Sequence, residues 1–480
     1  MKPCIGKNTL KLLAAFTAAL LLTACADTPP TEPQVKTLET AALGLSAIPA
    51  PAVPDAWWKS FNDPQIDRLA AAMLGGNPTL AAALARIRAA QAELSVNQAK
   101  DLPQVTLEGQ EQRMLFSNDY IIPPPYGGSW RWYGQLTANM SWNLDFWGKQ
   151  AALIEKARDT AEAAAYDAAA ARLALSGALA QAYINLMLAW QNGDIADATV
   201  AERQAILNLT QGRYSSGLEN AAAVEQAKTL LAQARIDQMR FAAQREMDVH
   251  AIAALIGEGA GAYDSIVRPT PALDAALPLP AALPADLLAR RPDILAARAR
   301  VAAAAKGREA AHAAFYPDVN IVALVGFQAI GLSNLIGGDS FTTGVGPAIH
   351  LPLFDAGRIR ADYAGATAGL DVAVADYNGA VVNAIRQTAD AMTQVQNLAA
   401  RRAEARNALD SAARAFAIAQ ERYRMGLANQ LPMLTAEAGV LQARQQVAAL
   451  AADATVQRVT LLLSVGGAFH DSQTIIAKQD

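Results

Sequence analysis

Leu136, Ala138, Met140 and Trp142 alternate with Gln135, Thr137, Asn139, Ser141 and Asn143, a period of two that predicts a strand with one apolar and one polar face. The same period starts at Gln104, where Val105, Leu107 and Gly109 oppose Thr106, Glu108 and Gln110. Val319, Ile321, Ala323, Val325 and Phe327 mark a third strand, and Val345, Pro347, Ile349 and Leu351 a fourth. The spacing places the four at about 104–114, 130–143, 318–328 and 341–351. Two-faced segments of about ten residues match a transmembrane barrel around a watery lumen. Trp130, Trp132, Tyr133, Trp142, Phe146 and Trp147 crowd the ends of the second strand, as aromatics do at a membrane interface. Pro347 and Pro352 each remove a ladder donor, so the fourth strand needs an edge position or a bulge.

Around the strands the pattern turns alanine-rich. Asn77 before Pro78 reads as an N-cap with proline at the first helical position, and that helix should end at Leu102-Pro103. A second helix runs from Pro292 to Tyr316-Pro317. Gly148 to Tyr214 and Gly357 to Tyr423 are proline-free, and as helix each would reach roughly 100 Å. Alanine runs such as Ala168-Ala169-Ala170-Ala171 leave faces small enough for close helix approach. Gly217-Leu218 and Gly426-Leu427 supply the left-handed turns that send the chain back through shorter helices.

These elements occur twice. Arg213-Tyr214 through Asn220 pairs with Arg422-Tyr423 through Asn429 at a spacing of 209 residues, and Gln233-Ala234-Arg235 pairs with Gln442-Ala443-Arg444 at the same spacing. Pro78 through Pro103 pairs with Pro292 through Pro317 at 214. The slip of 5 therefore lies between Pro103 and Gly148, most simply in the loop of the first hairpin, where insertions are tolerated. This is a duplicated half-protein, not a solenoid of short units.

Composition places the chain in a compartment. Lys2, Lys7 and Lys11 lead into the apolar run Leu12 to Leu22, a secretory signal too short to stay as a spanning helix. It ends in Leu22-Thr23-Ala24-Cys25, which resembles the lipobox of bacterial lipoproteins and implies cleavage before Cys25 and acylation there. Ala26 in place of aspartate favours the outer membrane under the enteric sorting rule. Cys4 leaves with the signal, so the mature chain has no intrachain disulfide. Loss of the three signal lysines moves the formal charge from -4 to -7, which argues against nucleic acid as a partner. The expected organisation is a signal over 1–24, a proline-rich tether over 25–56, a first repeat over 57–257, a Pro/Gly linker over 258–283, a second repeat over 284–467 and a tail over 468–480. His250, His312, His350 and His470 lack metal-ligand spacing, and no Gly-x-Ser-x-Gly, Walker or His-Glu-x-x-His motif occurs. Neither an enzyme nor a cofactor is expected.

Helix, hairpin, long helix, tight turn and returning helix, all repeated, resemble the outer membrane factor family, the TolC-like ducts of tripartite efflux systems. The lipobox, Trp57-Trp58 with Phe61-x-Asp63-Pro64, and Arg290-Arg291-Pro292-Asp293-Ile294 look like its NodT-type lipoprotein branch. The resemblance implies a mainly α fold with a membrane β-barrel portion: a homotrimer with a twelve-stranded barrel on a periplasmic α-helical barrel. It also implies adaptor docking at Arg213, Tyr214, Gly217 and Leu218 and at Arg422, Tyr423, Gly426 and Leu427. Related ducts carry an aspartate ring in the helix after the second turn. Here Leu431 to Glu437 contains none, so Pro432 and Leu434 suggest an apolar aperture, with Glu437 the only acidic substitute. The implied function is passive export of small molecules delivered by an inner-membrane pump and a periplasmic adaptor. The alternatives are a type I protein-secretion duct of the same fold and a non-channel periplasmic scaffold.

Overall fold

The computed structural model describes residues 31–39, 43–119, 121–274 and 277–469; Cys25, its lipobox and His470 lie outside them. In chain order the main elements are α1 (Pro64–Gly76), α2 (Pro78–Ala99), β1 (Gln104–Leu115), β2 (Trp130–Leu144), α3 (Lys149–Ser215) and α4 (Ala221–Leu255). After the linker come α5 (Pro292–Ala313), β3 (Asp318–Ile330), β4 (Phe341–His350), α6 (Arg358–Arg424) and α7 (Gln430–Ser464). The duplication is kept to the residue: α2 and α5 have 22 residues each, α3 and α6 have 67, and α4 and α7 have 35.

The chain divides into two units, and the described residues of the first lie within 31–37, 87–163 and 297–377. Its centre is one antiparallel sheet in the order β1-β2-β3-β4. Gln104 pairs with Ser141 and Arg113 with Trp132; moved by 214 and 209, these become Asp318 with His350 and Phe327 with Phe341, both observed pairs. The two hairpins thus share one register, and the slip of 5 falls beyond the last common pair. Pro347 lies opposite Ile321 in β4, which has a strand neighbour on one side only within the chain. β4 stops at His350, one residue short of the alternation, because its ladder with β3 ends at Asp318.

Cross-strand partners share a face, so Val105, Met140, Ala323 and Val345 form one apolar row. The opposite face departs from the expected polar lining. Gln104, Thr106, Glu108, Asn139 and Ser141 are polar on β1 and β2, but β3 and β4 present Val322, Leu324, Gly344 and Gly346 there. These residues border a groove of about 540 Å³. Gly326 allows β3 to press on β2, since a Cβ there would stand 2.1 Å from the Leu136 carbonyl oxygen.

The described residues of the second unit lie within 38–86, 164–296 and 378–469. Trp57, Trp58 and Phe61 are buried with Ile66, Met73, Leu179, Tyr183, Ile252 and Leu462 in its main core. Asp63 caps α1 by accepting from the Gln65 N–H at 3.0 Å. The arginine pair of the second motif is structural too. Arg290 donates to the Ala50 carbonyl at 2.7 Å, and Arg291 to the Ser464 carbonyl at the end of α7 at 3.0 Å. Both motifs therefore fasten ends of chain segments, which is why each needs a charged residue beside apolar ones.

Candidate functional site at the paired helical turns

The α3–α4 and α6–α7 turns close with the same backbone motif. Leu218 N–H donates to the Arg213 carbonyl and Leu427 N–H to the Arg422 carbonyl, each at 2.8 Å. Gly217 and Gly426 donate one residue inward, to the Tyr214 and Tyr423 carbonyls at 3.0 Å. Each pair of bonds satisfies carbonyls that the helix end would orphan, and requires a left-handed residue. Both glycines supply it, with φ of +73°. No atom lies within 4 Å of a Cβ added at Gly217, so backbone conformation and not space selects glycine.

The side chains break the symmetry. Tyr214 is 51% exposed, whereas its repeat equivalent Tyr423 is fully buried, at 0%. Arg213 covers Tyr423: its guanidinium carbon lies 4.7 Å from the ring centroid, and it donates to the Tyr423 carbonyl at 3.2 Å. The Tyr423 hydroxyl shares a hydrogen bond with Thr210 at 3.3 Å, and Gln430 donates to Thr210 at 3.0 Å. Arg422, the equivalent of Arg213, is exposed. Of the residues expected at a docking surface, Arg213 and Tyr423 are thus drawn into a contact between the turns. Tyr214, Leu218, Arg422 and Leu427 remain outside, joined by Met425, which stands where the first copy has Ser216.

The three candidate aperture residues also separate. Pro432 is exposed, while Leu434 and Glu437 are buried within this chain. Spaced by three, they share the inward face of α7, and Pro432 lies off it. Leu434 packs with Ile206, Phe416, Tyr423 and Met433. Glu437 accepts from Arg203 Nε at 3.0 Å, and the same guanidinium donates to the Leu230 carbonyl at 2.8 Å, tying α7 to α3 and α4. Burial pushes the neighbouring Glu202 carboxyl up, aided by Glu437 and opposed by Arg444 and Arg203. The ion pair was not anticipated, yet the repeat marks it: Arg203 has Ala412 as its equivalent, and Glu437 has Lys228. Both members of the pair depart from the repeat together, one to alanine and one to the opposite charge.

On the polar face of the sheet, side chains join in a ladder. Tyr133 donates to Gln135 at 3.0 Å, and Gln135 and Asn139 donate to the Thr137 hydroxyl at 3.1 and 3.3 Å. Such a face suits water and a polar lumen. Among the described residues no three His, Cys, Asp or Glu side chains gather as a metal site.

A two-faced sheet with both edges open, carried on duplicated long helices that end in matched turns, defines a subunit of a membrane channel. The model of the outer membrane efflux protein family matches residues 69–258 and 283–467, and the chain belongs to that family. It is 36% identical over 379 residues to the fusaric acid resistance protein FusA of Burkholderia cepacia, covering 76% of this chain and 70% of the relative. It is 29% identical over 432 residues to the multidrug resistance outer membrane protein MdtP of Escherichia coli, covering 88% of each. The crystal structure of the outer membrane protein VceC of Vibrio cholerae superposes with a TM-score of 0.81 at 34% identity, over 87% of this chain and 100% of that one. The protein is an outer membrane efflux channel, and the fold is that of a TolC-like channel, not of an enzyme.

Proposed function

We propose that this chain is the exit duct of a tripartite efflux system, assembling as a homotrimer that shares one barrel of twelve strands. The observation that carries the reading is the sheet: an apolar face for lipid, a polar ladder for water, and two edges left open. Lipid does not tolerate open edges, and four strands are too few to close. The exposed Tyr214, Leu218, Met425 and Leu427 form the surface that meets the periplasmic adaptor, with Gly217 and Gly426 shaping it. Arg213 and Tyr423 support that surface from behind. Pro432 carries the aperture reading, since Leu434 and Glu437 face inward. Cys25 is the lipid anchor in the outer membrane. The names of FusA and MdtP point to small toxic molecules as cargo, with energy supplied by an inner-membrane pump. Purified protein in a planar bilayer is expected to conduct ions, more so when Arg213→Ala loosens the turns. Absence of conductance from both forms would remove the duct reading.

A further inference from the structure

Two cross-strand pairs on the polar face of the sheet break the internal repeat. In the first hairpin Glu108 stands opposite Thr137, and Gln110 opposite Gln135. Moved by 214 and 209, these become Val322 opposite Gly346 and Leu324 opposite Gly344. Register is common to both hairpins, so the difference lies in side-chain chemistry alone. Polar partners in one copy are replaced in the other by an aliphatic side chain facing bare backbone.

The chain itself requires neither glycine. Both lack the left-handed backbone that favours the residue. A Cβ at Gly346 would meet nothing within 4 Å, and one at Gly344 only the Leu324 side chain, at 3.9 Å. Their effect is to leave the space beside Val322 and Leu324 empty. Those two side chains are 42% and 39% exposed, which leaves apolar surface for a ligand to cover. The groove they border, about 540 Å³, falls within the range of about 300–1,000 Å³ common for small-molecule sites. Glu108 lines the same groove and is the one charged side chain among the described residues that do.

We propose that this groove is a binding site for organic cations that carry an apolar ring or chain. The apolar part covers Val322 and Leu324 above Gly344 and Gly346, and the charge is held on the side of Glu108. The inference rests on the duct reading above and names the class of molecule that the duct wall holds. A carboxylate in the groove attracts a cation and repels an anion of the same shape. Removal of aliphatic surface from water supplies the affinity that charge alone lacks at a wet face.

The test uses the full chain in lipid nanodiscs, titrated in a calorimeter with matched probes against a blank of empty nanodiscs. Benzyltrimethylammonium carries a ring and a positive charge, benzenesulfonate a ring and a negative charge, and tetramethylammonium the positive charge alone. The first is expected to bind at least about tenfold more tightly than either of the others. Gly346→Thr introduces the first-copy residue, fills the hollow and should weaken that binding about tenfold. Leu324→Gln and Glu108→Gln should weaken it to a similar degree, by removing the apolar contact and the charge. Gln112→Ala, on the same face but outside the groove, should leave it unchanged. Equal binding of the probes, or full binding in both Gly346→Thr and Leu324→Gln, overturns the site. Planar-bilayer conductance of the same preparations separates the two readings. A conducting channel that binds no probe overturns the groove alone. A chain that conducts in neither the parent nor the Arg213→Ala form overturns the duct on which the groove depends.

Discussion

Asp63 illustrates how a single carboxylate can organise a core. Besides capping α1, it accepts from the Tyr183 hydroxyl at 2.5 Å and from the Thr270 N–H at 2.7 Å. Burial pushes the carboxyl up, but these donors together outweigh burial and hold it below the usual range. A depressed value means the ionised form stabilises the fold above the unfolded pKa, about 3.9, and that this stability is lost as pH falls through the folded value. Asp63→Asn should cost about 1–3 kcal/mol at neutral pH. The difference in melting temperature between parent and variant should shrink below about pH 4. A difference that stays constant down to acid, followed by circular dichroism, would contradict the assignment. The motif containing Asp63 was visible in the sequence, but its role was not, because its partners Tyr183 and Thr270 lie far along the chain. Arg203 and Glu437 were hidden for the same reason, and only the broken repeat hinted at them.

Strands and helices were legible where their period was strong. Alternation placed all four strands within two residues of their observed ends, and glycine chemistry placed both turns. Three things escaped. The polar face turns to Val322, Leu324 and glycine on β3 and β4, where the alternation marks only which residues share a face and not its chemistry. β4 ends early, because a strand ends where its partner does. Tyr214 and Tyr423 part company, because the first-copy arginine covers only the second-copy ring. The turns also carry the test of docking. Valine at Gly217 and Gly426 forces a β-branched residue to positive φ, costing about 1–2 kcal/mol at each site. Export should fall to the level of a strain lacking the protein, while the outer-membrane fraction keeps its normal amount of channel. Asparagine, which tolerates that backbone, should restore part of the export. Full drug resistance in the double valine variant would refute the docking surface.

On the scale of the whole molecule, the leader is bound to the chain that follows it. The Gln34 and Val35 N–H groups donate to Asp371 at 2.9 and 3.0 Å, and Arg308 donates to the Thr31 carbonyl at 3.1 Å. The leader is thereby pinned within the unit that carries the strands, a few residues downstream of Cys25. This docking was not legible in the sequence, since backbone donors to one aspartate leave no periodic trace. Cys25→Ser should abolish incorporation of labelled palmitate and still insert into the outer membrane through the apolar face of the sheet. An unmodified thiol at Cys25 in the parent, seen by mass spectrometry of the amino-terminal peptide, would exclude the anchor. The 5 residues by which the hairpins differ lie outside every shared ladder pair, in the turn between Leu115 and Trp130. That turn is free of the register it joins. Its length can therefore change without moving a single cross-strand pair on either side of it.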